Sequence, residues 1–369
     1  LDFNFLMPAR VISGKGCLEK NEGVIKSLGS RCLIVTGAGS AAKSGALDAA
    51  KAAVKNAGTD YIIYDRITAN PLLSACFEAG STARKFRADL ILGIGGGSVL
   101  DASKAAAVFA ANPSFTPGDF LKGAFVKSLP LAVVGTTAGT GSEVTGTAVV
   151  TLDDTHVKKA VTHRCCFATV VFADPAFTSS CPYGLTVSAA LEALCHAVEA
   201  YYAAAAGDIA RASALEAVKL LWPELMWLYS NRDALPGEEK REQLYYGSLW
   251  AGMAASLAGT GFPHPAGHPL SLELGLPHGR ACAVFLPDYV RHNAPAASSL
   301  TLKLFGVLGC GTDAFCEKVS ALTAVKGVRL PHEKCVQFAD ALEGVPALSN
   351  AVNPTTPEEM RLIYEKLFS

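Results

Sequence analysis

The chain has 369 residues, 50% of them hydrophobic and 18% charged, which exceeds one ordinary core and points to two globular domains. A net charge of -1 with no basic cluster interleaved with aromatics excludes an electrostatic nucleic-acid binder. No uncharged apolar run of about eighteen residues is present to span a bilayer, and the stretch LDFNFLMPARVIS shows neither the basic start nor the long apolar core expected of a secretory leader, while eleven cysteines without a CxxC pair read as reduced thiols of a cytoplasmic protein.

In chain order, residues 31–36 form an apolar run ending in Gly37-Ala38-Gly39-Ser40, and an Ala- and Lys-rich helical stretch follows from about Gly45. A second strand is predicted over 61–65, with Asn70-Pro71 as a breaker before a helix from Leu73 to Phe86. The continuous apolar run 89–94 predicts a strand buried on both faces, and the alternation of strand and helix predicts a parallel, doubly wound sheet. That strand ends in Gly95-Gly96-Gly97-Ser98 before a helix, where glycines permit close approach of a ligand and a helix start attracts anions such as a pyrophosphate. The same residues also serve a tight strand-to-helix turn. A further strand, Leu131 to Gly135, runs into the hydroxyl- and glycine-rich segment Thr136 to Thr145.

After Asp174-Pro175 the pattern changes to long helical periodicity over 187–206, 208–230 and 237–258, with a domain boundary expected between Pro175 and Thr186. Within it, His264 and His268 stand four apart, so a helix would project both from one face, and Glu192 and His196 offer a carboxylate and an imidazole at the same offset. Such a donor set suits Fe(II), Zn(II) or Ni(II) rather than Ca(II) or Mg(II). Pro265 would suit a first helical position, with His264 just before it.

The segments GGGSVLDASK, TTAGTGSEVT, LEALCHAVEAY, PHPAGHPL and LPHGRACAVFLP, in this order and spacing, resemble the iron-containing (group III) alcohol dehydrogenase family from about Pro8 onward. The resemblance implies an α/β dinucleotide-binding domain over 1–180 and an all-helical, metal-binding catalytic domain over 181–369, the architecture also found in dehydroquinate synthases. By position it places the metal on Glu192, His196, His264 and His278, and makes His268 a proton relay near the nicotinamide. It places the cofactor on Gly96, Gly97 and Ser98 at the pyrophosphate, Asn70, Thr136, Thr137 and Thr140 along the nucleotide, and Val149 and Lys158 nearer the ribose, with Lys159 one position away. Asp101 is expected to stabilise the first turn of its helix. Where the family has Asp, this chain has Glu192, which lengthens the reach of the carboxylate by about 1.5 Å.

The implied activity is hydride transfer between a nicotinamide and a small alcohol or aldehyde, assisted by a divalent metal, Fe(II) foremost, in a homo-oligomer such as a dimer. An acidic residue that commonly meets the adenosine ribose in this family falls on Gly37, where no carboxylate is present. With Ser40 and Lys43 close by, the turn is expected to receive a 2′-phosphate and so to favour NADP(H) over NAD(H). Two rival functions are a lyase of the dehydroquinate synthase type and a metal-free nucleotide-binding protein.

Overall fold

The computed structural model describes residues 5–325 and 327–368; the first residues of the N-terminus, on which part of the leader reading rests, lie outside them. Eight strands are found among the described residues: β1 (Arg10–Ser13), β2 (Arg31–Gly37), β3 (Asp60–Ile67), β4 (Leu90–Gly95), β5 (Leu131–Gly135), β6 (Thr147–Thr151), β7 (Lys158–Thr162) and β8 (Val170–Ala173). Six of them form one all-parallel sheet in the order β1-β8-β5-β4-β2-β3, and β6 and β7 make a separate antiparallel hairpin.

The helices of this half are α1 (Glu22–Leu28), α2 (Ser40–Lys43), α3 (Ala46–Asn56), α4 (Leu73–Phe86), α5 (Gly97–Ala111) and α6 (Pro117–Leu121). Successive strand residues point to opposite faces. Leu33, Val35, Ile91 and Val133 therefore join the core under α4 and α5, whereas Ile34, Leu92, Ile94 and Val134 join the core shared with α1 and α3. Burial on both faces explains why β4 and β5 read as unbroken apolar runs. From β2 the chain passes through α3 outward to β3, and from β4 through α5 to β5 on the other side, so the direction of winding reverses between β2 and β4. The crevice at such a reversal, beyond the carboxyl ends of the strands, is where open α/β sheets bind ligands. The Gly37 and Gly95 turns flank it.

The helical half comprises α7 (Tyr183–Tyr202), α8 (Asp208–Ser230), α9 (Glu238–Ala258), α10 (Pro263–Glu273) and α11 (His278–Ala283), followed by closing helices that reach Phe368. Helix α7 is buried along nearly its whole length, with Leu191, Leu194, Val198 and Tyr202 in the core. Missing side chains let the halves meet closely. A Cβ on Gly139 would come within 2.9 Å of Ala189 in α7, and one on Gly141 within 2.6 Å of Gly252 in α9. Among the described residues no helix is long and apolar enough to cross a membrane.

Candidate functional site

Three helices converge at the base of the cleft because two glycines let their backbones touch. A Cβ on Gly267 of α10 would stand 2.7 Å from the Cys282 amide nitrogen of α11, and one on Gly279 of α11 would run into the Ser188 carbonyl of α7 and stand 2.8 Å from the Glu192 Cβ. The result gathers every residue expected around the metal. His196 stacks on His264 with ring centroids 4.3 Å apart, His264 meets His278 edge-on at 5.9 Å, and His268 stacks on His278 at 5.6 Å. Glu192 Oε1 lies 3.9 Å from His278 Nε2. Helix α10 starts at Pro263 rather than Pro265, so His264 sits inside its first turn.

The donor atoms of His264, His278 and Cys282 all lie within 4.8 Å of one another; Glu192 and His196 border this group. Cys282 has no place in the sequence reading, although its four-residue offset from His278 was the signal already applied to the histidine pair. Glu199 has no place in it either. It is fully buried and lies seven residues beyond Glu192, on the same face of α7. Its Oε1 stands 2.7 Å from His264 Nδ1, and its Oε2 accepts the Gly261 N–H at 3.0 Å.

A carboxylate accepting from Nδ1 leaves Nε2 of that ring as a lone-pair donor. In His264 that atom is buried without a partner among the described residues, as is His196 Nδ1. Burial, with the Lys158 charge adding to it, lowers His264 to about 3. Burial likewise lowers His268 to about 3 and takes His196 and His278 well below their usual value. Neutral imidazoles with orphaned nitrogens fit a divalent cation. Burial raises the Glu192 carboxyl to about 7, with Lys158 pulling the other way; a cation would favour its ionised form.

At the sheet crevice, Gly96, Gly97 and Ser98 lie where α5 begins, against the Thr136–Thr140 segment: a Cβ on Gly96 would stand 3.1 Å from the Thr137 side chain, and one on Gly97 would collide with that of Thr140. Asn70, at a φ of 53°, donates its N–H to Ser98 Oγ at 3.2 Å. Thr136 Oγ1 is buried and without a partner among the described residues. Ser40 opens α2, and both it and Lys43 are exposed beside Gly37. Gly37 has a packing reason of its own, because a Cβ there would stand 2.8 Å from the Ile67 carbonyl oxygen.

Val149 and Lys158 come from the β6–β7 hairpin, and alternation separates the two lysines. Lys159 is exposed, whereas Lys158 is partly buried and its charge couples to Cys282, Glu192 and Asp101; burial lowers its pKa. Asp101 lies beyond the first turn of α5 and does not cap it. Instead it accepts from Ser142 Oγ at 2.6 Å and from the Val149 N–H at 3.0 Å, beside the fully buried Lys104. Lys104 Nζ donates to Ser142 Oγ and to the Thr147 carbonyl, both at 2.7 Å, so this pair fastens the hydroxyl-rich loop and the hairpin to α5. No periodicity marks that role.

Comparison with known proteins agrees over the whole length. Residues 8–175 match the family "Iron-containing alcohol dehydrogenase" and residues 186–351 match "Fe-containing alcohol dehydrogenase family, C-terminal". The crystal structure of an iron-containing alcohol dehydrogenase from Thermotoga maritima superposes with a TM-score of 0.91 at 30% identity, covering 100% of this chain and 99% of that one. The chain is 30% identical to the NADPH-dependent butanol dehydrogenase of Clostridium saccharobutylicum (79% of this chain, 74% of that protein). It is also 30% identical to the NAD-dependent methanol dehydrogenase of Bacillus methanolicus (83% and 80%), so likeness alone does not select the nucleotide.

Proposed function

The chain belongs to the iron-containing alcohol dehydrogenase family, and we propose that it interconverts a small alcohol and its aldehyde with a nicotinamide cofactor and a divalent metal, working as an aldehyde reductase. One observation carries the metal dependence: the buried, unpartnered Nε2 of His264, whose ring Glu199 orients from the far side, beside His278. Glu192, His196, His264 and His278 would hold the ion, with Fe(II), Zn(II) and Ni(II) the suitable metals. When bound, the ion supplies Lewis acidity to the substrate oxygen, and the nicotinamide takes or gives the hydride.

The remaining roles fall to the chain's own side chains. His268, stacked on His278, carries the proton of the substrate oxygen between the cleft and solvent. Gly96, Gly97, Ser98, Asn70, Thr136, Thr137 and Thr140 line the crevice for the pyrophosphate and nucleotide, with Val149 and Lys158 toward the ribose. The absence of a carboxylate at Gly37, together with Ser40 and Lys43, supports NADP(H) over NAD(H). We assign residues 1–180 to cofactor binding and 181–369 to the metal. The chain is read as a homo-oligomer, such as a dimer; eleven free thiols favour a reducing cytoplasm.

Metal analysis joined to turnover of short aldehydes with NADPH and NADH tests the reading. Glu192→Ala is expected to lower metal content and abolish activity with cofactor binding nearly intact; His268→Ala is expected to keep the metal and lose turnover. Equal metal loss in His268→Ala and His264→Ala would make His268 a ligand instead. A metal-free wild type that stays inactive when Fe(II), Zn(II) or Ni(II) is added would overturn the metal-dependent mechanism.

A further inference from the structure

The link between α9 and α10, from Gly259 to Phe262, is neither helix nor strand, yet it decides where the first turn of α10 begins and with it the place of His264. It is gripped from three sides. On the first, the Gly261 N–H donates to Glu199 Oε2 at 3.0 Å, the same carboxylate whose other oxygen lies 2.7 Å from His264 Nδ1. On the second, a Cβ on Gly261 would stand 2.5 Å from the ring of Tyr289, whose hydroxyl donates to the Glu199 carbonyl at 3.2 Å. The third grip comes from far along the chain. Asn350 Nδ2 donates to the Ala258 carbonyl at 2.8 Å and to the Thr260 carbonyl at 3.2 Å, bracketing Gly259, while its Oδ1 accepts the Ala205 N–H at 3.3 Å. Both hydrogens of the amide are thus spent on this link. Gly259 holds a φ of 73°, and a Cβ there would stand 2.9 Å from Asn350 Nδ2, so only glycine lets the amide reach both carbonyls. Asn350 is itself anchored: its N–H bonds to the Pro346 carbonyl at 3.0 Å, and the Val352 N–H bonds to the Tyr202 carbonyl at the end of α7 at 2.9 Å.

We propose that Asn350 is a positioning residue for the metal site. Glu199 is fixed in α7, and its two oxygens meet Gly261 and His264 together only if the link between them has one conformation. The Asn350 amide imposes that conformation by clamping the carbonyls on either side of Gly259. It therefore acts on the ion through Gly261, Glu199 and the tautomer of His264, as an outer partner of a ligand does. The inference rests on the metal site proposed above and adds no ligand to it.

The test uses the full chain and Asn350→Asp, which is nearly isosteric, keeps an oxygen for the Ala205 N–H and sets another against the two carbonyls. In the metal-free protein, amide exchange over residues 259–264 is expected to speed up by about tenfold or more. Zn(II) is expected to bind about five- to tenfold more weakly in chelator competition, the worth of about one hydrogen bond. Co(II) bound in place of zinc should show a shifted visible band, since the donors are kept and their angles are not. Gly259→Ala reaches the same contact from the other side and is expected to act alike, which covers the case in which Asn350→Asp does not fold. A clamp that serves stability alone would lower the melting temperature while zinc affinity stays within twofold and the cobalt band stays in place; that result in either folded variant overturns the proposal and leaves the metal site standing. Failure of the wild type to bind either ion overturns both.

Discussion

Replacing Glu199 by Gln removes one charge and little volume, and the structure says what that must cost. The carboxylate accepts two bonds, from His264 Nδ1 at 2.7 Å and from the Gly261 N–H at 3.0 Å. A Gln has one carbonyl oxygen, so its amide must face one of these donors with a donor of its own. If the NH2 group turns to His264, it can only donate to Nδ1, which drives the ring proton onto Nε2, the atom left free for a cation. If it turns to Gly261, a buried amide loses its partner. A bond to a charged group is worth about 1.5–3 kcal/mol, which at about 1.4 kcal/mol per tenfold corresponds to roughly 10 to 100 times weaker metal binding. Burial pushes the Glu199 carboxyl well above the usual range, with the Gly261 and His264 contacts opposing it; a dication on the far side of the ring favours the ionised form. The assay is chelator competition for Zn(II), with thermal melts of the metal-free protein as a folding control. Glu199→Asp, with its charge kept and its reach shortened by about 1.5 Å, is expected to recover part of the loss. Affinity within twofold of wild type in Glu199→Gln would refute the argument, because it would mean that the carboxyl is neutral in the loaded site.

Three more outcomes follow from the geometry. Gly279→Ala would press a methyl into the Ser188 carbonyl where α11 lies on α7, so a loss of about 3 kcal/mol is expected by chemical denaturation, whereas Gly306→Ala, inside the helix Ser298–Leu308 with open space around it, should stabilise by about 0.5–1 kcal/mol. In the metal-free protein, His264 and His268 are held at about 3 against 6.5 unfolded, so stability is present above 6.5 and is lost as pH falls toward 3. Glu192, raised from 4.5 to about 7, acts oppositely and its contribution is lost as pH rises through that window, so Glu192→Gln should steepen the dependence of melting temperature on pH between 4.5 and 6.5; an unchanged slope contradicts the assignment. Cofactor choice is best probed at Gly39, whose Cβ would meet only Lys43 Cε at 3.9 Å, rather than at Gly37, where the Ile67 carbonyl leaves no room. Gly39→Asp is expected to invert an NADPH preference in kcat/KM, and a wild type that already prefers NADH would end that reading.

Buried parallel strands declare themselves by uninterrupted apolar runs, which is why β2, β4 and β5 and the helix after Asn70 lie close to where periodicity puts them. Strands β1 and β8 have four residues each, and the β6–β7 hairpin is largely polar on one side, so none offers a run long enough to stand out. The meeting of Glu192, His196, His264 and His268 was legible because helical offsets of four are a local property, whereas His278 was placed by the family resemblance alone. Cys282 stands four residues from His278 and Glu199 seven from Glu192, yet neither stands out, because a carboxylate or thiol in an apolar helix looks like any other until its neighbour across the interface is known. The buried Lys104 depends on partners some forty residues away, and only the folded chain brings them together.

The place of β1 in the sheet has a consequence during synthesis. It pairs, in parallel, with β8 alone, so Arg10–Ser13 has no partner until Val170–Ala173 has been made. At about 5–20 residues per second a ribosome needs roughly 10 to 30 s for the intervening chain. Over that interval β2, β3, β4 and β5 can assemble, while the outer edge of β5 stays open and the leading segment waits unpaired. The nascent chain thus carries two complementary loose ends, a strand and the rim that β8 will join, for tens of seconds. Slowing translation beyond residue 173 would give them time to close before the helical half emerges, and speeding it would leave that edge open to other nascent chains.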